Sequence, residues 1–151
     1  MEKILVANRG EIAVRIIRAA AELGLATAAV FSEDDRKCLH TRFADHSVAL
    51  QGLGAAAYLD ADQIIAAARD NGCMAIAPGY GFLAENAQFA RRCEQAGIAF
   101  IGPTPESLEV FGNKALAGDG GRGIRPVYSL EDPEAPLLGS RGDKLLKMTF
   151  L

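Results

Sequence analysis

The chain has 151 residues, of which half are hydrophobic and 23% are charged, and this composition is typical of one globular domain with its own core. The net charge of −3 gives no reason to expect nucleic acid or an anionic membrane as a partner, and the apolar runs are too short to cross a bilayer. The start Met1-Glu2-Lys3 has no secretory pattern. Cys38, Cys73 and Cys93 form no Cys-x-x-Cys pair, which favours reduced thiols in a cytoplasmic protein.

The first element predicted is a strand that passes directly into a helix. Residues 3–7 are an apolar run, and Gly10 stands where the chain must turn into the helix. The helix is predicted from apolar residues at helical spacing, namely Ile12, Ile16, Ala19, Ala20 and Leu23. A strand–glycine–helix joint of this kind opens many α/β nucleotide folds, and a helix N-terminus there can hold an anion.

The next elements continue the alternation of strands and helices. Residues 27–31 and 46–50 predict two strands, separated by the polar turn 32–36. Asp60 is a predicted N-cap for a helix over 61–70 whose inward face is Ile64, Ile65 and Ala68, and Asn71-Gly72 ends it.

Four further elements complete the first part of the chain. A strand is predicted over 74–77, a helix over 85–95 that ends before Gly97, and another strand over 98–101, with one more short helix over 106–111. Strands separated by helices predict an α/β, Rossmann-like doubly wound sheet, mainly parallel, over residues 1–113. Residues 114–151 are rich in glycine and proline and predict a short irregular C-terminal tail, whose apolar end 145–151 could add a strand or dock on a surface.

Each candidate motif has two interpretations. Residues 8–11 (Asn-Arg-Gly-Glu) place amides and Arg9 near a phosphate, or form a tight turn with Arg9 and Glu11 solvated, which is the favoured interpretation for this motif alone. Residues 32–36 either hold a ribose or form a solvated charged loop, and the solvated loop is the favoured interpretation. Residues 78–86 form either a ligand-facing or a purely structural aromatic loop, with Tyr80 and Phe82 on opposite sides of the turn.

The glycine-rich segment 118–123 is either a flexible linker or a phosphate cover in which Arg122 closes over a nucleotide. The segment lacks the Walker pattern, and no dinucleotide fingerprint is present elsewhere. His40 and His46 have no partner at metal-ligand spacing, so no zinc site is predicted.

Together these motifs resemble the N-terminal end of biotin carboxylase, the ATP-grasp ligase component of acetyl-CoA, propionyl-CoA, methylcrotonyl-CoA and pyruvate carboxylases. The matching stretches are collinear over residues 1–114 and comprise 3–19, 32–36 with 39–40, 78–86, 100–103 and 112–114. Two positions depart from the family pattern: Ala77 stands where the family usually has His, and Ala84 where it usually has Ser. After Lys114 the chain matches a later family segment without a gap, so that Lys114 corresponds to two family lysines, which suggests an internal deletion.

The resemblance implies a fragment of an enzyme that carboxylates biotin with ATP and bicarbonate. It assigns contacts with the ATP phosphates to five residues, namely Lys114, Gly120, Gly121, Arg122 and Gly123, and assigns no catalytic or metal-binding residue. ATP and Mg²⁺ are cofactors of the parent family, and the biotin carboxyl carrier protein is its partner. Because the glycine-rich loop would lack the rigid support that catalysis requires, we expect little or no carboxylation by this chain alone.

Two alternatives remain at this stage. The chain could be a non-catalytic dimerisation module, since Arg15, Arg18 and Glu22 match the family's dimer contact and share one helix face. It could also be the equivalent domain of another ATP-grasp ligase, such as carbamoyl-phosphate synthetase.

Overall fold

Strands and helices alternate along the chain in the computed structural model, which describes residues 2–110 and Met148. The strands are β1 (Lys3–Val6), β2 (Ala26–Phe31), β3 (His46–Ala49), β4 (Ala75–Ala77) and β5 (Ala99–Phe100). The helices are α1 (Gly10–Glu22), α2 (Leu39–Phe43), α3 (Gly54–Tyr58), α4 (Ala61–Asp70) and α5 (Ala87–Gln95), and a 3-10 turn covers Glu33–Asp35. The alternation predicted from the sequence is therefore confirmed.

The five strands form one sheet in the order β3-β2-β1-β4-β5, and every pairing is parallel. β1 lies at the centre, where Leu5 pairs with Ala28 of β2 on one side and Ile76 of β4 on the other. Parallel neighbours require crossover connections, which the helices supply. The predicted doubly wound α/β fold is confirmed.

Both faces of the sheet are buried at β1, β2 and β4, as a doubly wound fold requires, whereas the edge strand β3 is largely exposed. Side chains alternate along β1, so that Ile4 and Val6 join one apolar cluster and Leu5 and Ala7 join the other. We call the face covered by α1 the α1 side, and its helical core residues are Ala13, Ile16, Ile17 and Ala20. The opposite face, which we call the α4 side, is covered by residues of α3, α4 and α5.

The ends of the longer helices follow their sequence signals. Gly10 has a φ of +61°, which suits the glycine predicted at the β1–α1 joint. The Asp60 carboxylate accepts a hydrogen bond from the Gln63 amide at 3.2 Å, as predicted for an N-cap. α5 begins at Ala87, two residues later than predicted, because the Asn86 side chain accepts from the Phe89 amide and so caps the helix there.

Two helices were not predicted. α2 and α3 have five residues each, which is too short for helical periodicity to appear in the sequence. The last predicted helix is observed over 105–110, as far as this segment is described. The proposed boundary at 113/114 and the glycine-rich segment lie outside the described residues. No helix in the described part of the chain has the length and apolarity needed to cross a membrane.

Candidate functional site

The carboxyl ends of β1, β2 and β4 meet along one edge of the sheet, which we call the carboxyl edge. It is formed by residues 7–10 after β1, 32–36 after β2 and 78–86 after β4. Ligands of open α/β sheets bind outside this end of the strands. Three of the motifs singled out in the sequence therefore lie together.

Asn8 connects the β1 loop to the β4 loop. Its side chain is 1% exposed, and its amide nitrogen donates to the carbonyls of Pro78 and Tyr80, at 2.7 Å each. Its oxygen accepts from the Arg9 amide at 2.8 Å. Both amide hydrogens and the oxygen of Asn8 thus have protein partners, which is what a buried polar side chain requires.

At Gly79 the β4 loop lies close to the side chains of α1. Its φ is +68°, and a Cβ at this position would lie 2.7 Å from Ile12 Cγ2 and 3.1 Å from both Asn8 Nδ2 and Ile16 Cδ1. No side chain fits there without displacing its neighbours. Glycine is therefore required both by the backbone conformation and by the space.

The two aromatic residues of the β4 loop have different environments. Phe82 stacks on Tyr58 with ring centroids 5.1 Å apart, and it adopts a φ of +47°, a conformation that costs a non-glycine residue energy. Tyr80 is 63% exposed. The loop is thus structural at Phe82, whereas Tyr80 presents its ring at the carboxyl edge.

Arg9 makes the corresponding connection towards β2. Its guanidinium lies 3.5 Å from the Asp35 carboxylate and 5.8 Å from the centroids of both the Tyr58 and Phe82 rings. Its side chain is 41% exposed. The favoured sequence interpretation, a merely solvated Arg9, is therefore wrong, because the rings and Asp35 together provide an apolar and anionic surface for it. Glu11 is exposed, as predicted.

Asp35 is held by Tyr58. The Tyr58 hydroxyl donates to Asp35 Oδ2 at 2.7 Å and accepts from the Ser32 amide at 3.2 Å. Burial acts to raise the pKa of Asp35. The hydrogen bonds to its carboxylate, of which that from Tyr58 is the strongest, and the charge of Arg9 act in the opposite direction. Together they outweigh burial, so the pKa of Asp35 is lowered. Burial and the bond to Asp35 raise the pKa of Tyr58, which stays protonated as a donor.

Asp34 is also bound internally. Its Oδ1 accepts from the Gly54 amide at 2.9 Å and from the Ser32 hydroxyl at 2.7 Å, and these bonds lower the pKa of its carboxyl group. Glu33, Asp34 and Arg36 are exposed, whereas Ser32 is fully buried. The prediction of a solvated loop is therefore wrong for Ser32 and Asp35, and both aspartates have partners within the protein.

His40 lies beneath this side of the edge and is fully buried. Its Nε2 lies 3.1 Å from the Val30 carbonyl, which can only accept, so this nitrogen carries the hydrogen. Nδ1 has no hydrogen-bond partner among the described residues. Burial lowers the pKa of His40, although the bond to Val30 opposes this effect.

No cluster of three potential metal ligands occurs within residues 2–110. The three cysteines are free thiols, and burial raises the pKa of Cys73 to about 11 and that of Cys93 to about 12. Burial and the Asp35 contact also raise the pKa of Cys38. A thiol with a raised pKa is a poor nucleophile at neutral pH.

The two departures from the family pattern are buried at the β4 loop, since Ala77 directly precedes the loop and Ala84 lies within it. Ala77 is 3% exposed and Ala84 is 8% exposed. Methyl groups therefore occupy buried positions at which a polar side chain would require a hydrogen-bond partner.

The three residues predicted at a dimer contact, Arg15, Arg18 and Glu22, are all exposed on α1. The Arg18 guanidinium lies 5.7 Å from the centroid of the Phe43 ring, which is 50% exposed. The five residues predicted to contact ATP, Lys114, Gly120, Gly121, Arg122 and Gly123, lie outside the described residues.

Sequence reasoning missed the group formed by Arg9, Asp35, Tyr58 and Phe82. Its members come from four separate segments, and Tyr58 lies in a helix too short to be predicted. The one available signal was Tyr58 itself, because a tyrosine in an apolar stretch usually needs a partner for its hydroxyl.

Comparisons with known proteins agree with this geometry. Residues 1–108 match the family described as "Biotin carboxylase, N-terminal domain". The biotin carboxylase of Nostoc sp. is 53% identical over 117 residues, which cover 77% of this chain and 26% of that protein. The pyruvate carboxylase of Staphylococcus aureus is 53% identical over 119 residues, which cover 78% of this chain and 10% of that protein.

A solved structure extends the likeness to three dimensions. The biotin carboxylase domain of a thermophilic 2-oxoglutarate carboxylase, solved with bound ADP and without magnesium, superposes with a TM-score of 0.74 at 47% identity, covering 77% of this chain and 26% of that chain. The chain thus spans about a quarter of the length of these biotin carboxylases. On the strength of its sequence match, its parallel sheet and its carboxyl-edge motifs, the chain belongs to the biotin carboxylase family through the N-terminal domain.

Proposed function

We propose that this chain is a fragment of a biotin carboxylase and that it is inactive on its own. The parent reaction is the ATP- and bicarbonate-dependent carboxylation of biotin in an acyl-CoA or pyruvate carboxylase. One observation carries the proposal: residues 1–108 match the family's N-terminal domain, while three charged groups of its carboxyl edge, Arg9, Asp34 and Asp35, have partners within the protein. These three groups therefore hold the loops of the edge together and are not free to react.

Asp34 and Asp35 do not fit a magnesium site. Asp34 is engaged by Gly54 and Ser32, and Asp35 by Tyr58 and Arg9. A hard cation would have to replace these bonds with its own oxygen ligands. We therefore derive no catalytic step from these two carboxylates.

The test of inactivity is bicarbonate-dependent ATP turnover by the purified chain, with free biotin and Mg²⁺ present. We expect no turnover above the rate without protein, while an intact biotin carboxylase measured alongside gives the positive control. Turnover that requires bicarbonate and biotin would contradict the proposal.

We also propose that ATP contacts, where this chain retains them, lie in residues 114–151, at Lys114, Gly120, Gly121, Arg122 and Gly123. The support is the resemblance of this segment to the family's glycine-rich loop, together with the ADP-bound relative. Calorimetry with Mg-ATP tests the assignment, with Arg122→Gln as the variant and Lys144→Gln as a control of equal charge change. A binding constant that both variants leave unaltered excludes Arg122 as a phosphate contact.

A second candidate function is a homodimerisation module. The favouring observation is that Arg15, Arg18 and Glu22 are exposed on α1, next to the half-exposed Phe43. Sedimentation of the wild type, Arg18→Glu and the control Arg69→Glu tests it, since Arg69 is exposed on α4. A monomeric wild type rejects the module, and a dimer that survives Arg18→Glu excludes this helix as the contact.

The remaining parts of the proposal concern the setting of the parent enzyme. The biotin carboxyl carrier protein is the expected partner of the parent enzyme, because the relatives of this chain are biotin carboxylases and a pyruvate carboxylase. We also propose a cytoplasmic location and a boundary near residue 113 between the N-terminal domain and the shortened second part. The end of the family match at residue 108 supports that boundary.

A further inference from the structure

The α1 side of the sheet is covered unevenly by the described helices. Residues of α1 pack over this face and α2 packs beside α1 at β2 and β3, whereas α3, α4 and α5 all contribute to the α4 side. The strand residues that face the α1 side near β4 are small, namely Ala75, Ala77 and the partly buried Ala99. A row of alanines leaves a shallow apolar surface, and such a surface needs a further element to exclude water from it.

Met148 belongs to this cluster. It is 4% exposed and is grouped with Ile4, Val6, Ala75 and Ala77 of the sheet and with the core residues of α1. It lies 40 positions beyond the last residue of the family match at 108. The match to the N-terminal domain therefore does not account for this contact.

We propose that the apolar face on the α1 side of β1 and β4 is a docking surface for the carboxy-terminal end of this same chain, with Met148 as its anchor. Methionine is unbranched and flexible, so it fills a shallow and irregular surface well. Met148 is itself helical. The stability of the N-terminal domain thereby depends on residues outside the family match.

The first test is oxidation of the folded full-length chain by hydrogen peroxide, followed residue by residue with mass spectrometry. Oxidation of methionine follows its exposure. We expect Met148 to react about tenfold more slowly in the folded chain than in guanidinium, and more slowly than the partly exposed Met74. Equal rates for Met148 in the folded and unfolded chain would overturn the proposal.

Concentration separates docking within one chain from docking between copies. Protection of Met148 that is independent of protein concentration supports the contact within one chain. Protection that disappears on dilution assigns the contact to a second copy and overturns the proposal as stated.

The second test is a double-mutant cycle on the full chain, read as shifts in the urea midpoint. Met148→Ala is combined with Ile16→Val on the α1 side and, as a matched control, with Ile64→Val on the α4 side. Residues in contact show coupling, and distant ones add independently. We expect a non-additive shift with Ile16 and an additive one with Ile64. Additive shifts in both pairs would overturn the docking of Met148 on the α1 side.

Discussion

The two halves of the carboxyl edge are held together by different kinds of contact. Towards β4, buried Asn8 donates two hydrogen bonds of 2.7 Å to backbone carbonyls. Towards β2, the adjacent Arg9 uses a 3.5 Å ion pair with Asp35 and the faces of two aromatic rings, and its side chain is 41% exposed. One tight turn thus reaches both neighbouring loops, one through buried amide bonds and the other through charge.

The two kinds of contact differ in how much they contribute to the free energy of unfolding. A buried carbonyl that loses its donor has no water to replace it, so the Asn8 bonds are costly to remove. A partly exposed ion pair is screened by water and salt and contributes much less. We therefore expect the β4 half to respond to changes of packing and the β2 half to salt and pH.

The largest effect is expected for Gly79→Ala. The added methyl group meets Ile12 Cγ2 at 2.7 Å, and alanine is disfavoured at a φ of +68°, so we expect a loss of about 3 kcal/mol in the free energy of unfolding. The matched control is Gly81→Ala, which has a φ of +72° but nothing within 4 Å, and should lose about 1 kcal/mol. Urea unfolding measures both. Equal losses would show that the contact with α1 is unimportant.

Asn8→Ala comes next. It leaves the carbonyls of Pro78 and Tyr80 without their donor, and we expect a loss of about 2 kcal/mol in the free energy of unfolding. The control Asn86→Ala removes a local helix cap and should cost about 1 kcal/mol. If Asn8→Ala lowers the free energy of unfolding no more than Asn86→Ala does, the hydrogen bonds between the β1 and β4 loops are not the main source of stability on the β4 side of the edge.

Arg9→Met should have a smaller effect, about 1 kcal/mol, because the guanidinium is partly exposed. In high salt the difference between wild type and Arg9→Met should shrink, since ions screen the pair with Asp35. The cost of Asn8→Ala should not change with salt. A salt-independent Arg9 effect would point to packing on Tyr58 and Phe82 as its source.

The smallest expected effect is the loss of stability that His40 causes between pH 7 and pH 5, which His40→Gln tests. Burial lowers the pKa of His40 below its usual 6.5, so the unfolded chain takes up a proton before the folded one does. Stability should therefore fall as the pH drops below about 6.5, until the folded-state pKa is reached. The lowered pKa values of Asp34 and Asp35 act mainly at more acidic pH, as the unfolded carboxyls titrate around 3.8.

Unfolding of wild type and His40→Gln between pH 7 and pH 5 measures this response. The variant should lose less stability than the wild type over this range. The control is His46→Gln, because the chain has two histidines and His46 is exposed. A wild-type slope retained in His40→Gln would exclude His40 as its cause.

Most of the fold could be predicted from the sequence, because its signals are local. The apolar run before Gly10, the cap at Asp60 and the alternation of strands with helices each depend on neighbouring residues. α2 and α3 escaped prediction because five residues do not complete two helical turns.

The candidate site could be predicted only in part. That the three loops lie at the same edge follows from parallel strands, which the sequence indicated, whereas the strand order that makes them neighbours came from the structure. The partners of Arg9 and Asp35 did not follow, because their contacts join segments that lie more than twenty residues apart in the chain. The predicted ATP contacts at Lys114 and in the glycine-rich segment remain predictions.

The position of β1 between β2 and β4 has one further consequence. The chain leaves β1 towards one half of the sheet and later returns to build the other half, so the connections diverge at a topological switch point beside β1. In open sheets of this kind the crevice at that point commonly receives a ligand. Here the Asn8 amide joins the β1 loop to the carbonyls of Pro78 and Tyr80, so that the two loops on either side of this point are fastened to each other.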